Sequence, residues 1–129
     1  MPPVNPPELL AELTAASDRY ESALVSNQVE ILQELFWNSP QAVRFGITEN
    51  LYGQAEIETF RKSRPPTGLA RTILRRQIVC LGGDTGMVNL EFRRTTDSGF
   101  RDGRQSQVWR RLPEGWRIMA AHVSWLSAK

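Results

Sequence analysis

The side chain with the clearest chemical potential in this sequence is an arginine on a short predicted strand. In the segment 42–47, Val43 and Phe45 share one face of the strand, so Arg44 must point to the other. A guanidinium on an inward face binds a carboxylate or phosphate through a bidentate pair of hydrogen bonds. Glu49 offers the alternative of an internal ion pair. Both interpretations hold if Glu49 orients Arg44 for a ligand.

A tyrosine on the first predicted helix is the second candidate. Tyr20 lies on an inward stripe formed at helical spacing by Leu9, Leu13, Ala16 and Leu24. A packed core tyrosine is one interpretation of this position. A buried phenol nevertheless needs a hydrogen-bond partner, and the edge of a cavity would supply one.

Polar side chains also occur where the predicted strands should be apolar. Alternation of side chains along a strand assigns them to inward faces. Buried polar groups cost roughly 2–7 kcal/mol unless they are paired. The pattern therefore predicts either a ligand pocket or a polar subunit interface. The residues that alternation groups in this way are Arg71 with Ile73, then Gln105, Gln107 and Trp109, and finally Ile118, Ala120, His122 and Ser124.

The single histidine and a turn tyrosine have structural alternatives. His122 is either a satisfied strand histidine or a proton shuttle that donates to a substrate oxygen. Tyr52, beside Gly53, is either structural or lines the pocket. The complete set predicted to bind substrate is Trp37, Glu49, Tyr52, Arg71, Gln105, Gln107, Trp109, His122 and Ser124.

Helices that precede long strands must position these residues. We predict helix caps at Asn5, Asn27 and Gly53, and Pro65 ends the third helix. Strands are expected over 42–47, 71–80, 85–94, 103–111 and 116–124. Helices first and strands last predict an α+β fold, in which the helices pack on a curved antiparallel sheet that encloses a pocket. Residues 1–6 are expected to form a flexible arm, and residues 7–129 a single domain.

Composition excludes several classes of function. The chain has 129 residues, 16 basic and 14 acidic, and a net charge of +2, which is no signature of nucleic-acid binding. One cysteine excludes an intrachain disulfide, and one histidine without ligand spacing gives no metal site. No apolar run is long enough to span a membrane, and the N-terminus lacks the features of a signal peptide. We therefore expect a cytoplasmic protein that binds neither nucleic acid nor membrane.

Several motifs together resemble a known family. They are R-F-G-I-T-E-N-L-Y-G after two helices, F-R-x-x-R-P at the end of the third, G-R-Q-S-Q-V-W, and G-W-R-I-M-A-A-H-V-S. Over residues 8–124 the chain resembles the NTF2-like, or cystatin-like, superfamily. More narrowly it is similar to the AtzH-like family, which is related to SnoaL-like and ketosteroid-isomerase-like proteins.

The resemblance implies a function and a catalytic pair. It implies a cone-shaped fold, a homodimer or homotetramer, and a pathway association with an amidase-signature hydrolase in nitrogen catabolism. The activity implied is cofactor-independent decarboxylation of 1,3-dicarboxyurea to allophanate in cyanuric acid breakdown, with a small anionic carboxylated substrate. The family's catalytic pair matches Tyr20 and Arg44. A non-catalytic NTF2-like binding module and a ureide C–N hydrolase are the alternatives. The aspartate base of ketosteroid isomerases has no counterpart on an inward face.

Overall fold

Three helices and six strands make up the part of the chain that the computed structural model describes, residues 3–65 and 68–127. The helices are α1 (Pro7–Val25), α2 (Val29–Leu35) and α3 (Gln54–Ser63). The strands are β1 (Val43–Phe45), β2 (Asn50–Tyr52), β3 (Thr72–Leu81), β4 (Thr85–Thr96), β5 (Gly99–Leu112) and β6 (Gly115–Trp125).

All six strands belong to one sheet, in the order β2-β1-β6-β5-β4-β3. Every neighbouring pair is antiparallel except β1 and β6, which run parallel. The three helices pack against one face of the sheet, and the opposite face is exposed. The predicted α+β fold, with N-terminal helices on a curved antiparallel sheet, is confirmed.

The core lies between the helices and the inner face of the sheet. Strict alternation along β4 buries Val88, Leu90 and Phe92, as the pattern of that strand predicts. Trp109 of β5 and Leu13 of α1 are fully buried against them. Burying a large apolar side chain stabilises a fold by about 1.5–3 kcal/mol. This packing fixes the distance at which the helices stand off the sheet.

A β-bulge in β6 changes which residues of that strand face inward. Trp109 pairs with Ile118 whereas Val108 pairs with Ala120, so Met119 is an extra residue in the ladder. The extra residue reverses the alternation that follows it. Ala121 and Val123 are therefore buried, whereas His122 is exposed and Ser124 pairs with the exposed Arg104 on the outer face. The prediction that His122 and Ser124 share the inward face of Ile118 was wrong for this reason.

Only one of the three predicted helix caps has the predicted role. Gly53 is the N-cap of α3, with a φ of 87° that favours glycine. The prediction for Asn27 was wrong, because its amide instead donates to the carbonyl oxygens of Arg61 and Arg64 at 2.8 and 3.2 Å. It thus satisfies the C-terminal end of α3.

The cap predicted at Asn5 was also wrong. The side-chain oxygen of Asn5 accepts a hydrogen bond from the backbone N–H of Cys80 at 2.8 Å, and Pro6 is the N-cap of α1. Val4 forms a β-bridge with Leu81. Residues 3–6 therefore lie against the edge of β3, which differs from the flexible arm that the sequence predicted. Residues 1 and 2 fall outside the described part of the chain.

None of the helices described here has the length and apolar character needed to cross a membrane.

Candidate anion-binding site

A cavity of about 260 Å³ opens between the helical layer, the turn that joins β1 to β2, and the inner face of the sheet. Four of its lining residues are arginines and one is a glutamate. The lining residues are Leu24, Arg44, Ile47, Thr48, Glu49, Phe60, Arg64, Leu69, Arg71, Arg94, Gln105 and Val123. The predicted residues Arg44, Glu49, Arg71 and Gln105 are thus brought together in one site.

Arg44 is a buried arginine of the lining, with 6% of its surface exposed. Val43 and Phe45 lie on the opposite side of β1, as alternation predicts. Its guanidinium carbon lies 5.2 Å from the centre of the Phe60 ring. Nε and Nη1 are buried and have no hydrogen-bond partner among the described residues. Burial lowers the pKa of Arg44, and Tyr20 and Arg61 act on that pKa in opposite directions.

Glu49 does not satisfy Arg44. No carboxylate in residues 3–65 and 68–127 lies within 4.0 Å of the Arg44 guanidinium, so the ion pair left open by the sequence is not formed. One Glu49 oxygen accepts a 3.4 Å hydrogen bond from the Thr48 hydroxyl, and the other is buried without a partner. The carboxylate occupies the space where a Cβ on Gly46 would lie. The glycine thus lets Glu49 fold back over the turn.

Arg71 differs from Arg44 because its charge is neutralised. Its guanidinium makes a salt bridge of 2.7 Å with Glu21 of α1 and donates to the side-chain oxygen of Gln105 at 3.1 Å. Gln105 in turn donates to Glu21 at 3.3 Å. The Arg71 guanidinium carbon also lies 4.4 Å from the centre of the Phe92 ring. This network holds α1 to the sheet and leaves little of Arg71 for a ligand.

Two more arginines complete the positive lining. Arg64 lies 5.3 Å from the centre of the Phe60 ring and donates to Asn27 at 3.3 Å. Burial, with the nearby charges of Arg61 and Arg44, lowers the pKa of Arg64 to about 10, so it remains charged at neutral pH. Arg94 has a buried Nε without a partner in the described chain. Arg44, Arg64 and Arg94 together therefore present positive charge that only Glu49 opposes inside the cavity.

Tyr20 lies behind the cavity wall rather than in it. It is buried, and its phenol oxygen accepts a hydrogen bond from Nη2 of Arg61 at 2.8 Å. Burial alone would raise the pKa of the phenol, but the charges of Arg61 and Arg44 and the hydrogen bond from Arg61 outweigh it, so the pKa of Tyr20 is lowered. The predicted pair of Tyr20 and Arg44 is therefore close enough to interact electrostatically, although only Arg44 lines the cavity.

Three predicted binding residues belong to the hydrophobic core. Trp109 is fully buried, and its indole N–H donates to the side chain of Gln107 at 3.0 Å. Trp37 packs against the edge of the core, and its backbone N–H donates to the carbonyl of Ile118. Trp109, Gln107 and Trp37 do not line the cavity.

The other three lie on the outer face of the sheet. Tyr52 is 58% exposed, and its ring meets the edge of Phe45 at a centroid distance of 5.8 Å. His122 approaches the same phenylalanine at 5.9 Å. Ser124 lies beside them on the outer side of β6. A role for His122 in proton transfer inside the cavity is not compatible with this position.

Sequence reasoning missed Arg61, Arg64 and Arg94. The signal for Arg94 was present, because it continues the alternation of Leu90 and Phe92 along β4. Arg61 follows the buried Ile57 by one helical turn, so it also lies on the inward face of α3. Each of these cationic positions falls on an apolar stripe, which is the pattern that indicates a charged cavity.

The residues present do not suggest a metal centre. No group of three or more histidine, cysteine, aspartate or glutamate side chains in the described residues is arranged to hold a metal ion. The donor set of the cavity is instead rich in guanidinium N–H groups. Such groups bind carboxylate or phosphate oxygens and cannot accept a hydrogen bond or coordinate a cation.

Known proteins support a family assignment. The chain is similar to a protein of unknown function from Pectobacterium atrosepticum, with 48% identity, a TM-score of 0.91, and 96% and 95% of the two chains covered. A cystatin-like fold protein from Burkholderia xenovorans matches at 39% identity and a TM-score of 0.90, with 100% of both chains covered. An NTF2-like superfamily protein from Salmonella enterica shares the fold, with 22% identity, a TM-score of 0.75, and 95% and 94% covered.

No curated protein sequence matches the chain at a significant level. The model of the AtzH-like family matches residues 2–129, nearly the whole sequence. Together with the NTF2-like, cystatin-like fold, this match shows that the chain belongs to the AtzH-like family.

Proposed function

We propose that the chain is a cofactor-independent decarboxylase of carboxylated ureas that converts 1,3-dicarboxyurea to allophanate. The observation that carries the proposal is the unpaired, buried guanidinium of Arg44 in a positively charged cavity, next to a tyrosine whose pKa is lowered. A buried charged group without hydrogen-bond partners is costly. A dianionic ligand would supply those partners.

Binding would begin with Arg44. A carboxylate can be bound in a bidentate pair by Nε with Nη2 or by Nη1 with Nη2, so either geometry would give a partner to one of the two unpaired nitrogens, Nε and Nη1. Arg64 and Arg94 line the same cavity and offer positive charge to a second carboxylate. Most of the contribution to catalysis would come from orientation and charge placement, because none of the three arginines takes part in covalent chemistry.

The chemical step requires a proton on the departing nitrogen. The bond between the urea nitrogen and the carboxylate carbon breaks, CO₂ leaves, and the electron pair stays on nitrogen. Tyr20 does not line the cavity, so as general acid it would deliver its proton to that nitrogen through a water molecule. The phenolate that remains would be stabilised by Arg61 and Arg44, and it would regain a proton from water. No electron sink is needed, because nitrogen receives the electron pair.

Turnover by the purified chain tests the proposal. Freshly generated 1,3-dicarboxyurea should release CO₂ and yield allophanate. Tyr20→Phe and Arg44→Ala should each lower kcat/KM by at least about 100-fold, within the range that one general acid or one charge-assisted contact contributes. Arg75→Met, which removes an exposed arginine from the outer face of β3, is the matched control. Full activity in both cavity variants would exclude the mechanism.

A second candidate is a non-catalytic module that binds a small anion, alone or with a partner amidase-signature hydrolase. The position of Tyr20 behind the cavity wall favours it, because anion binding needs only the arginines. Anion affinity without release of CO₂ would support this alternative. Release of ammonia before CO₂ would instead indicate hydrolysis of a ureide C–N bond.

We also propose that the chain assembles as a homodimer or homotetramer through the outer face of the sheet. Met87 and Val108 lie opposite each other on that face and are 40% and 42% exposed. Light scattering during size-exclusion chromatography would give the mass. Met87→Glu combined with Val108→Glu should yield a monomer, and an unchanged mass would place the interface elsewhere.

A further inference from the structure

Arg61 is a fully buried arginine that does not line the cavity. It lies on α3 behind the cavity wall, with 0% of its surface exposed. Its Nη2 donates to the Tyr20 oxygen at 2.8 Å. Its guanidinium carbon lies 5.6 Å from the centre of the Tyr20 ring and 5.4 Å from that of Phe36. No described carboxylate forms a salt bridge with it.

The backbone at Arg61 is also held in place. Its carbonyl oxygen accepts a hydrogen bond of 2.8 Å from the side-chain amide of Asn27. This contact joins the last turn of α3 to the loop between α1 and α2. Arg61 is therefore fixed at both ends, by Asn27 at the backbone and by the rings of Tyr20 and Phe36 at the guanidinium.

The groups around Tyr20 determine which partner donates in its hydrogen bond with Arg61. A guanidinium has only donors, so the phenol oxygen must be the acceptor of the bond from Arg61. Arg44, the other cation next to Tyr20, likewise cannot accept. Both cations next to the phenol oxygen can only donate to it, and no group in residues 3–65 and 68–127 accepts a hydrogen bond from it. The single O–H hydrogen of Tyr20 therefore has no acceptor in the described chain.

We infer that Arg61 is a positioning residue for Tyr20, which fixes the phenol oxygen as an acceptor and leaves its O–H hydrogen free for a ligand, or a water beside that ligand, held by Arg44. The use of that hydrogen in decarboxylation rests on the proposed function. The arrangement of the hydrogen bond does not. Arg61 acts through Tyr20 and need not touch the substrate.

The charges around Tyr20 agree with this role. Burial raises the pKa of the phenol, and so does Glu21 of α1 to a smaller extent, but Arg61 from α3 and Arg44 from β1 face the phenol and lower its pKa overall. Arg64, at the end of α3, is also close enough for its charge to interact with Tyr20. An opposite charge within about 4–6 Å shifts a pKa by about 1–3 units. Loss of Arg61 should therefore raise the pKa of Tyr20 measurably.

Direct titration of the phenol tests the inference without any activity assay. The chain has 2 tyrosines, so Tyr52→Phe leaves Tyr20 alone. The ¹³Cζ resonance of labelled tyrosine, followed against pH, then reports only that phenol. We expect Tyr20 to titrate below the ordinary value of about 10. Adding Arg61→Met should raise its pKa by about 1–3 units. Arg61→Lys should restore part of the shift, and Arg75→Met should leave it unchanged.

The outcomes separate the inference from the proposed function. Titration of Tyr20 at or above 10 in the single-tyrosine protein would overturn the inference, even if Arg61→Met does not fold. So would an unchanged Tyr20 pKa in folded Arg61→Met. If the titration moves as expected, the alkaline limb of kcat/KM for 1,3-dicarboxyurea should move with it. A shifted titration in a protein without turnover would refute the proposed function and leave the role of Arg61 intact.

Discussion

Replacing Arg44 with methionine should make the ligand-free protein more stable and much weaker at binding anions. Methionine keeps most of the length and apolar volume of the side chain but removes the charge. Arg44 is 6% exposed, and its Nε and Nη1 have no hydrogen-bond partner among the described residues. In the empty cavity, the substitution therefore removes the free-energy cost of burying unpaired guanidinium donors. In the occupied cavity, it removes the contact between Arg44 and the anion. The two effects have opposite signs, which a simple packing defect would not produce.

The magnitude follows from the contacts. Each unsatisfied buried donor costs about 1–3 kcal/mol, so two contribute about 2–6 kcal/mol. The contact of Arg44 with Phe60, at 5.2 Å, offsets about 0.5–2 kcal/mol of this. Arg44→Met should thus stabilise the empty protein by about 1.5–4 kcal/mol, which corresponds to roughly 6–16 °C in Tm for a chain of this size.

The effect on binding is larger. Two hydrogen bonds to a charged group contribute about 1.5–3 kcal/mol each, so losing both should weaken anion binding by about 10²- to 10⁴-fold. Thermal unfolding without ligand gives the stability, and calorimetry with malonate gives the affinity. Arg75→Met removes an exposed guanidinium and should change neither the Tm nor the malonate affinity by much. A lower Tm for Arg44→Met with unchanged malonate affinity would refute the reasoning.

Three further predictions concern neighbouring groups. A general acid must be protonated, so activity should be present below the lowered pKa of Tyr20 and lost as pH rises through that pKa. A kcat/KM profile that stays flat to pH 10 would contradict this role. Glu21→Ala leaves the buried Arg71 without its carboxylate, and chemical denaturation should show a loss of about 3–5 kcal/mol; an unchanged stability would contradict a structural role for this salt bridge. Asn27→Ala removes the cap at the end of α3 and should cost about 1 kcal/mol in the same assay, with no change expected if that helix end were already solvated.

The sequence by itself determined the order of the elements, except for the short strand β2, which it did not predict, and the inward position of Arg44 and Tyr20. Both follow from local periodicity, which is 2 along a strand and 3.6 along a helix. Val43 and Phe45 place Arg44 on the opposite face of β1, and Leu13 and Leu24 place Tyr20 on the buried face of α1. Periodicity needs no knowledge of which elements become neighbours. These assignments therefore agree with the structure.

Only the tertiary structure decided which side chains share the cavity. The extra residue Met119 in β6 turns His122 to the outer face, and no composition signal marks such a bulge. Asn27 satisfies the end of α3 rather than its own helix, because the partner carbonyls lie more than 30 residues away. The contact of Arg61 with Tyr20 joins residues 41 positions apart. Long-range contacts of this kind form when helices pack on a sheet, and local pattern carries no information about them.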